Sequence, residues 1–319
     1  MTPIPPRHAD AHKGTMGRVA IVGGSPGLTG AMTLAQLGAL RSGAGLVTCL
    51  VPRSVHTILE IKTTEAMTLP LEDDGSGCIG TGAEANIVDF AARTDALLIG
   101  PGMGRSAAST EVLLSILERC AQPIVVDADG LWHLSQNAHR VTRAPSSWIL
   151  TPHEGELRRL VEALGSTWRG RREAAREVSV GLGAVVVAKG PGTLVTDPDG
   201  ALVQNSSGNP GLASGGTGDV LAGVMVAQAA RVAASGGLPE GGALFRAASR
   251  AAWLHGRAAD FAAYGEAARA VPGRLELEAR RSAGGRVQGE GAIGEESLIA
   301  TDVIAHLPRA ILELEEHTP

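Results

Sequence analysis

RVAIVGGSPGLTGAMTLAQLGALRSGAGLVTCLVP, residues 18–52, decides the fold. Residues 18–24 form a short β-branched run ending on two glycines, the pattern of a buried strand followed by a tight turn. Residues 30–42 are rich in Ala and Leu and long enough for a helix, and residues 45–52 make a second strand. Strand, glycine turn, helix and strand form a βαβ unit, and such units build parallel sheets. The alternation returns in ALLIGPG (96–102), a helix over 106–120, PIVVDADG (123–130), WILTPHEGE (148–156) and AVVVAKGPG (184–192). TLVTD (193–197) follows so closely that the two predict an antiparallel hairpin at a sheet edge. From Thr217 the texture changes to Ala-rich helices, one to about residue 228, another over 243–263, and a closing amphipathic one over 301–315. The expected class is α/β, with a mostly parallel central sheet covered by helices on both faces.

A chain of 319 residues with 44% hydrophobic and 19% charged residues can bury a full core. With no internal repeat and no linker composition, one domain over 1–319 is expected, interrupted by a Gly-, Arg- and Glu-rich loop insertion at about 265–296. A net charge of -5 and dispersed Arg leave no electrostatic footprint for nucleic acid. The start lacks the apolar core of a secretory signal, and the longest apolar stretch, around 220–230, is too short to span a bilayer. A cytoplasmic protein without membrane partners is therefore expected. Cys49, Cys78 and Cys120 stand far apart, in no spacing typical of zinc or a disulfide framework, and read as reduced thiols.

In open parallel sheets ligands gather outside the carboxyl ends of the strands, and the glycine motifs of this chain fall there. GNPGLASGGTGDVLAG (208–223) carries the most chemistry. Its Gly215, Gly216, Thr217 and Gly218 let backbone N–H groups converge at the start of a helix, a natural anion hole. Asp219 on that helix is either an ordinary first-turn acid or a base; after four such residues the base reading is preferred, taking a proton from a substrate hydroxyl while the amides hold the developing phosphoryl charge. His153 either caps the helix beginning near Glu154 or touches a ligand. Lys189 ends a buried strand and either snorkels or meets a phosphate. Asp127 and Asp129 hold Mg²⁺ through water or shape a turn, and Glu154 and Glu156 assist a metal or serve the helix dipole. His255, near Trp253 on an Ala-rich helix, reads as packing.

Taken in order, HKGTMGRVAIVGGSPGLTGAMTLAQLGALRSGAGLVT, GPGMG, VVDADGL, LTPHEGE, AKGPGT and NPGLASGGTGDVLAG resemble the motifs of the NAD(P)HX dehydratases, a family of the ribokinase-like superfamily; GGTGD alone would fix only the superfamily. The similarity runs from about His12 to Asp260 and resumes at Thr301. It implies a ribokinase-like three-layer αβα sandwich and repair of hydrated NADH or NADPH, written NADHX and NADPHX. Hydroxide is a poor leaving group, so phosphorylating the ring hydroxyl lets phosphate depart instead. The resemblance implies ADP as donor, with ATP the alternative, and release of AMP and phosphate. It assigns Asp219 as the base, Ala31, Gly102, His153 and Asp219 as contacts to NAD(P)HX, and Lys189, Gly190, Pro191, Gly192, Thr193 and Gly218 as nucleotide contacts. Mg²⁺ would be held, through water, by Asp127 and Glu156. A homo-oligomer, a tetramer, is implied, as is cooperation with a separate NAD(P)HX epimerase, since HKG at residue 12 leaves no N-terminal epimerase domain. The chain departs from the family in carrying Ala259, where Gly is usual, and in the stretch 267–294. The rival functions are a kinase for a small alcohol or vitamin precursor, and a non-catalytic nucleotide-binding protein on the same fold.

Overall fold

The computed structural model describes residues 4–141, 147–236, 242–270, 279 and 287–316. The first half of the chain runs β1 (Arg18–Val22), α1 (Thr29–Arg41), β2 (Leu46–Pro52), α2 (Arg53–Lys62), β3 (Met67–Leu71), α3 (Glu84–Ala91), β4 (Ala96–Ile99) and α4 (Ala107–Arg119). It continues through β5 (Ile124–Val126), α5 (Asp129–Asn137), β6 (Trp148–Leu150), α6 (Glu154–Ala163), α7 (Arg171–Leu182), β7 (Val185–Ala188), β8 (Leu194–Thr196) and β9 (Leu202–Gln204). Three long helices close it: α8 (Thr217–Ala234), α9 (Ala243–Tyr264) and α10 (Ala300–Glu316).

Among the described residues the strands form one sheet in the order β3-β2-β1-β4-β5-β6-β7-β8-β9. β1 to β7 are parallel to their neighbours, and β7–β8–β9 is antiparallel. The predicted hairpin is therefore present, but TLVTD is not the edge: β9 pairs outside it, a correction with a plain cause, since LVQ is three residues long and half solvated and carries no strand signal. Successive β1 residues face opposite layers. Val19 and Ile21 join a core with α1, α8, α9 and α10, while Ala20 and Val22 join one with α3 to α7. The result is the three-layer sandwich.

α8 is apolar nearly all round because it is covered nearly all round. It lies very close to α1: a Cβ at Gly223 would stand 2.0 Å from the Ala35 carbonyl oxygen, and one at Gly38 2.7 Å from that of Val220. This approach fixes where the N-terminus of α8 emerges. The chain runs outward from β1 to β3 and returns to β4 on the other side, so the loops after β1 and β4 part at a topological switch point. Of the expected insertion at 265–296, residues 271–278 and 280–286 lie outside the described residues; residues 265–270 form a 3₁₀ turn after α9.

Candidate active site

The loop entering α8 turns through Gly216, whose φ of +87° suits glycine and whose missing Cβ leaves room for Leu34, 2.4 Å from where that atom would sit. Thr217 donates its hydroxyl to the carbonyls of Leu212, at 2.8 Å, and Ser214, at 2.9 Å, closing the turn. As first-turn residues, Gly218 and Asp219 have N–H groups without an intrahelical acceptor. The four predicted anion-hole residues thus form one turn at a helix start. Asp219 stands in that turn, and among the described residues no hydrogen-bond donor holds its carboxylate. Burial, then the Asp127 carboxylate, push its carboxyl up to about 7 against the pull of Lys189.

Lys189 leaves the end of β7 and gathers the acids. Its Nζ lies 2.8 Å from Asp127 Oδ1 and 3.9 Å from Glu156 Oε2, and a Cβ on Gly218 would be 3.6 Å away. Burial alone would lower the ammonium, but the Asp127, Glu156 and Asp219 carboxylates outweigh it and hold Lys189 above its ordinary range. Buried Asp127 also accepts from the Thr151 hydroxyl at 2.7 Å. It precedes Ala128, whose φ of +50° is the only positive value of a non-glycine among the described residues. Close packing accompanies that strain, for a Cβ at Gly100 would meet the Asp127 carbonyl at 1.9 Å. The strained turn sends Asp127 toward Lys189 and Asp129 the other way, where it accepts from the Gly104 amide at 3.1 Å and Arg105 Nε at 2.9 Å.

His153 is the N-cap of α6: its amide donates to Glu156 Oε2 at 2.8 Å, and the Glu156 amide donates to its Nδ1 at 3.2 Å. The capping alternative is thus realised, and the second ring nitrogen, Nε2, lies 3.3 Å from Glu156 Oε1, while 56% of the side chain stays exposed. Burial, then Lys189 and Arg159, lower the imidazole, and burial lifts Glu156 to about 7 although Lys189 opposes it. Glu154 pairs with Arg158 on the helix surface at 2.6 Å, outside the cluster. Among the described residues no group of three or more His, Cys, Asp or Glu is placed to hold a metal directly. The pair Asp127 and Glu156, tied to Lys189, would hold a Mg²⁺ ion only through water.

Beside this cluster opens a cavity of about 410 Å³, and all six residues predicted for the nucleotide, Lys189 to Thr193 and Gly218, line it. Several lining residues escaped the sequence reading. His255, expected to be mere packing, is buried but borders the cavity and meets the Thr217 carbonyl through Nε2 at 2.9 Å. Asn205, Ser207 and Asn209 also line the cavity, and of these only Asn209 falls within the glycine-rich stretch 208–223. Arg171, in α7, donates to the carbonyls of Pro191 and Gly192 and braces KGPGT. Ala31 and Gly102 lie together at the switch point instead: a Cβ on Gly102 would be 3.4 Å from that of Ala31 and 2.7 Å from the Leu28 carbonyl.

The family model described as NAD(P)H-hydrate dehydratase matches residues 19–278. The chain belongs to this family. Relatives agree: the bifunctional NAD(P)H-hydrate repair enzyme Nnr of Moorella thermoacetica is 42% identical over 272 residues, 84% of this chain and 49% of that one. The ADP-dependent (S)-NAD(P)H-hydrate dehydratase of Neisseria meningitidis is 36% identical over 260 residues, 80% of each chain. The chain spans about half the length, or less, of several bifunctional relatives it matches. Among solved structures, an ADP/ATP-dependent NAD(P)H-hydrate dehydratase from Bacillus subtilis, co-crystallised with ATP/Mg²⁺, superposes with a TM-score of 0.67 at 25% identity, covering 98% of this chain and 95% of that one. A ribokinase-like superfamily protein from Enterococcus faecalis, TM-score 0.70 at 24% identity with 98% and 92% covered, shows the same fold. As a member of the dehydratase family, the chain therefore carries the expected ribokinase-like sandwich.

Proposed function

We propose that this family member converts (S)-NAD(P)HX to NAD(P)H with ADP as phosphoryl donor, releasing AMP and phosphate. The observation that carries the proposal is Asp219: a carboxylate at a glycine-turned helix start, unheld by any donor among the described residues, with its carboxyl near 7 and the KGPGT cavity beside it. A base poised near the working pH takes the ring hydroxyl's proton most effectively. The first-turn amides of α8 receive the charge of the transferring group, and Lys189 offsets it. Ala31 and Gly102 leave room for the hydrated ring's close approach, and His153, anchored as a cap, presents an exposed imidazole edge toward the dinucleotide. Lys189 to Thr193 and Gly218 cradle the nucleotide. Asp127 and Glu156 would hold Mg²⁺ through water, and the ion would supply charge neutralisation on the phosphates.

The ADP-dependent Neisseria relative supports the choice of donor, and the Bacillus structure supports Mg²⁺ and keeps ATP as an alternative. The bifunctional naming of longer relatives supports cooperation with an epimerase. Among the described residues no helix is long and apolar enough to cross a membrane, which suits a cytoplasmic enzyme; a homotetramer is proposed from the family resemblance.

The test is incubation of the purified chain with chemically hydrated NADH, Mg²⁺ and either ADP or ATP. Recovery of NADH absorbance together with free phosphate in the ADP mixture is the expected result. A stable phosphate ester would make the chain a small-alcohol kinase. Binding of both ligands without turnover would make it a non-catalytic binder.

A further inference from the structure

The residues of the anion-hole turn are mostly small and partly exposed, so an isolated loop of this composition would sample many shapes. Its shape is set from outside, by α9. Asp260, buried near the end of that helix, accepts from the Gly208 amide at 3.0 Å and from Asn209 Nδ2 at 3.0 Å. Asn209 passes the constraint on, its Oδ1 accepting from the Gly211 amide at 3.0 Å. At the loop's other end His255, also on α9, meets the Thr217 carbonyl at 2.9 Å. A carbonyl only accepts, so Nε2 carries the proton. Burial draws this imidazole down to about 4, leaving a neutral ring with that proton in place at physiological pH.

Between the two side chains Gly256 seats the loop against the helix backbone: a Cβ there would lie 2.4 Å from Ser207 Oγ and 2.9 Å from the Gly208 amide. Ser207 donates to the Trp253 carbonyl of the same helix at 2.8 Å. Burial lifts the Asp260 carboxyl to about 6 in spite of its two donors, so its place in the core is costly on its own account. Neither Asp260 nor His255 belongs to the acid cluster around Lys189.

We propose that Asp260 and His255 are positioning residues that pin the two ends of the loop 208–217, fixing the amides that receive the terminal phosphoryl group of the nucleotide. This rests on the phosphoryl-transfer reading of Asp219 and the α8 start. Misplacing such amides by a fraction of an ångström costs rate while leaving the nucleoside end of the cavity intact. α9 thereby acts as a clamp on the loop, and the contact to the β-phosphate of ADP depends on it.

The discriminating experiment uses the full chain and compares Asp260→Asn, His255→Ala and His255→Gln with wild type by two readouts. Calorimetry gives the preference for ADP over AMP, and turnover of hydrated NADH gives kcat and KM. Asp260→Asn is nearly isosteric, yet its amide nitrogen meets the donor side of Asn209, so the expected result is kcat lower by about ten- to a hundredfold. The ADP-over-AMP preference should shrink while AMP affinity stays near wild type. His255→Ala should lose in the same pattern, and His255→Gln, which keeps a donor near Nε2, should recover most of the loss. Should Asp260→Asn fail to fold, Asn209→Ala removes the loop-side partner and leaves α9 whole. Equal weakening of ADP and AMP, or a lowered melting temperature with an unchanged nucleotide preference and kcat, overturns the proposal. If wild type binds ADP better than AMP but never turns over, the dehydratase reading fails, while the calorimetric comparison still decides whether the clamp exists.

Discussion

The two ends of the strand-end surface are built from different materials. At the switch point the loops after β1 and β4 are joined by backbone: the Gly24 amide donates to the Pro101 carbonyl at 3.0 Å, and Ser25 donates its hydroxyl to the Gly102 carbonyl at 2.9 Å. A Cβ on Gly23 would approach that same Pro101 oxygen to 2.3 Å. Over β5 to β7 and the start of α8 the surface is built from charge, with Asp127, Glu156, Asp219 and Lys189 drawn together. On the proposed reading, one end would select by shape and the other would work by electrostatics. Substitutions at the two ends should accordingly fail in different ways.

The largest effect is expected at Asp219. Asp219→Asn should lower kcat by roughly 10²–10⁴-fold while ADP binding persists, because the amide cannot take the proton. In wild type the acid limb of kcat/KM should fall near pH 7, where the base form of this carboxyl is lost on acidification. The stability effect has the opposite sign. Since the folded carboxyl lies above its ordinary value of 3.8, its contribution is favourable below that pH and is lost as pH rises through about 7. Asp219→Asn should therefore melt higher than wild type at pH 8 and show little gain at pH 4. A variant that keeps turnover, or whose melting difference does not grow with pH, breaks the electrostatic half of the comparison.

Lys189→Met comes next. It leaves Asp127 and Glu156 facing each other without their shared cation, and breaking a buried pair costs about 3–5 kcal/mol, with the partial exposure of Lys189 pulling the cost toward or below the lower figure. The protein should melt lower, the loss being larger at pH 8 than at pH 5, where the stranded Glu156 carboxyl, already lifted to about 7 by burial, can take up a proton. ADP affinity measured by calorimetry should fall with it. A pH-independent loss would mean that the cluster is held by packing instead.

Gly102→Ala probes the other end. A φ of +58° costs an L-residue roughly 1–2 kcal/mol, and the new methyl meets the Leu28 carbonyl at 2.7 Å. The expected outcome is a rise in KM for hydrated NADH of about tenfold or more, in line with 1.4 kcal/mol for each factor of ten. ADP affinity should stay unchanged. Weakened ADP binding would show that the two ends are one continuous pocket and erase the distinction.

That asymmetry also explains what the sequence could show. The interior strands were legible because parallel strands buried on both faces leave solid β-branched runs, as in AVVVA and RVAIV. The edges β3 and β9 were not, since MTLPL carries a proline and LVQ is short and half solvated. α8 was expected to end near residue 228 but continues to Ala234, because Gln228 and Arg231, polar letters that look like a stop, are buried and hydrogen-bonded to Ser42 and Gly43. Asp219 and Lys189 could be named from residue type and position, whereas Ala31 and Gly102 became visible only through resemblance, having no functional group to read. His255 and Asp260 stayed hidden because nothing in an Ala-rich helix tells which polar residue faces a loop about 40 to 50 residues earlier in the chain.

The smallest effect is expected at Arg105, which joins the two ends without belonging to either. Its guanidinium pairs with Asp129 and lies over Trp132 at 5.1 Å, and over half of the side chain is exposed. Exposed pairs of this kind contribute about 0–1 kcal/mol, and a cation over a ring at an exposed site adds about 0.5–1 kcal/mol. Arg105→Ala should shift the melting temperature by no more than a few degrees and leave ADP affinity and kcat within about twofold. Asp129 keeps its bond to the Gly104 amide in that variant, so the loop after β4 stays anchored through backbone. A large rise in KM for hydrated NADH would instead show that the guanidinium itself meets the dinucleotide, and the shape-built end would then need a charge of its own.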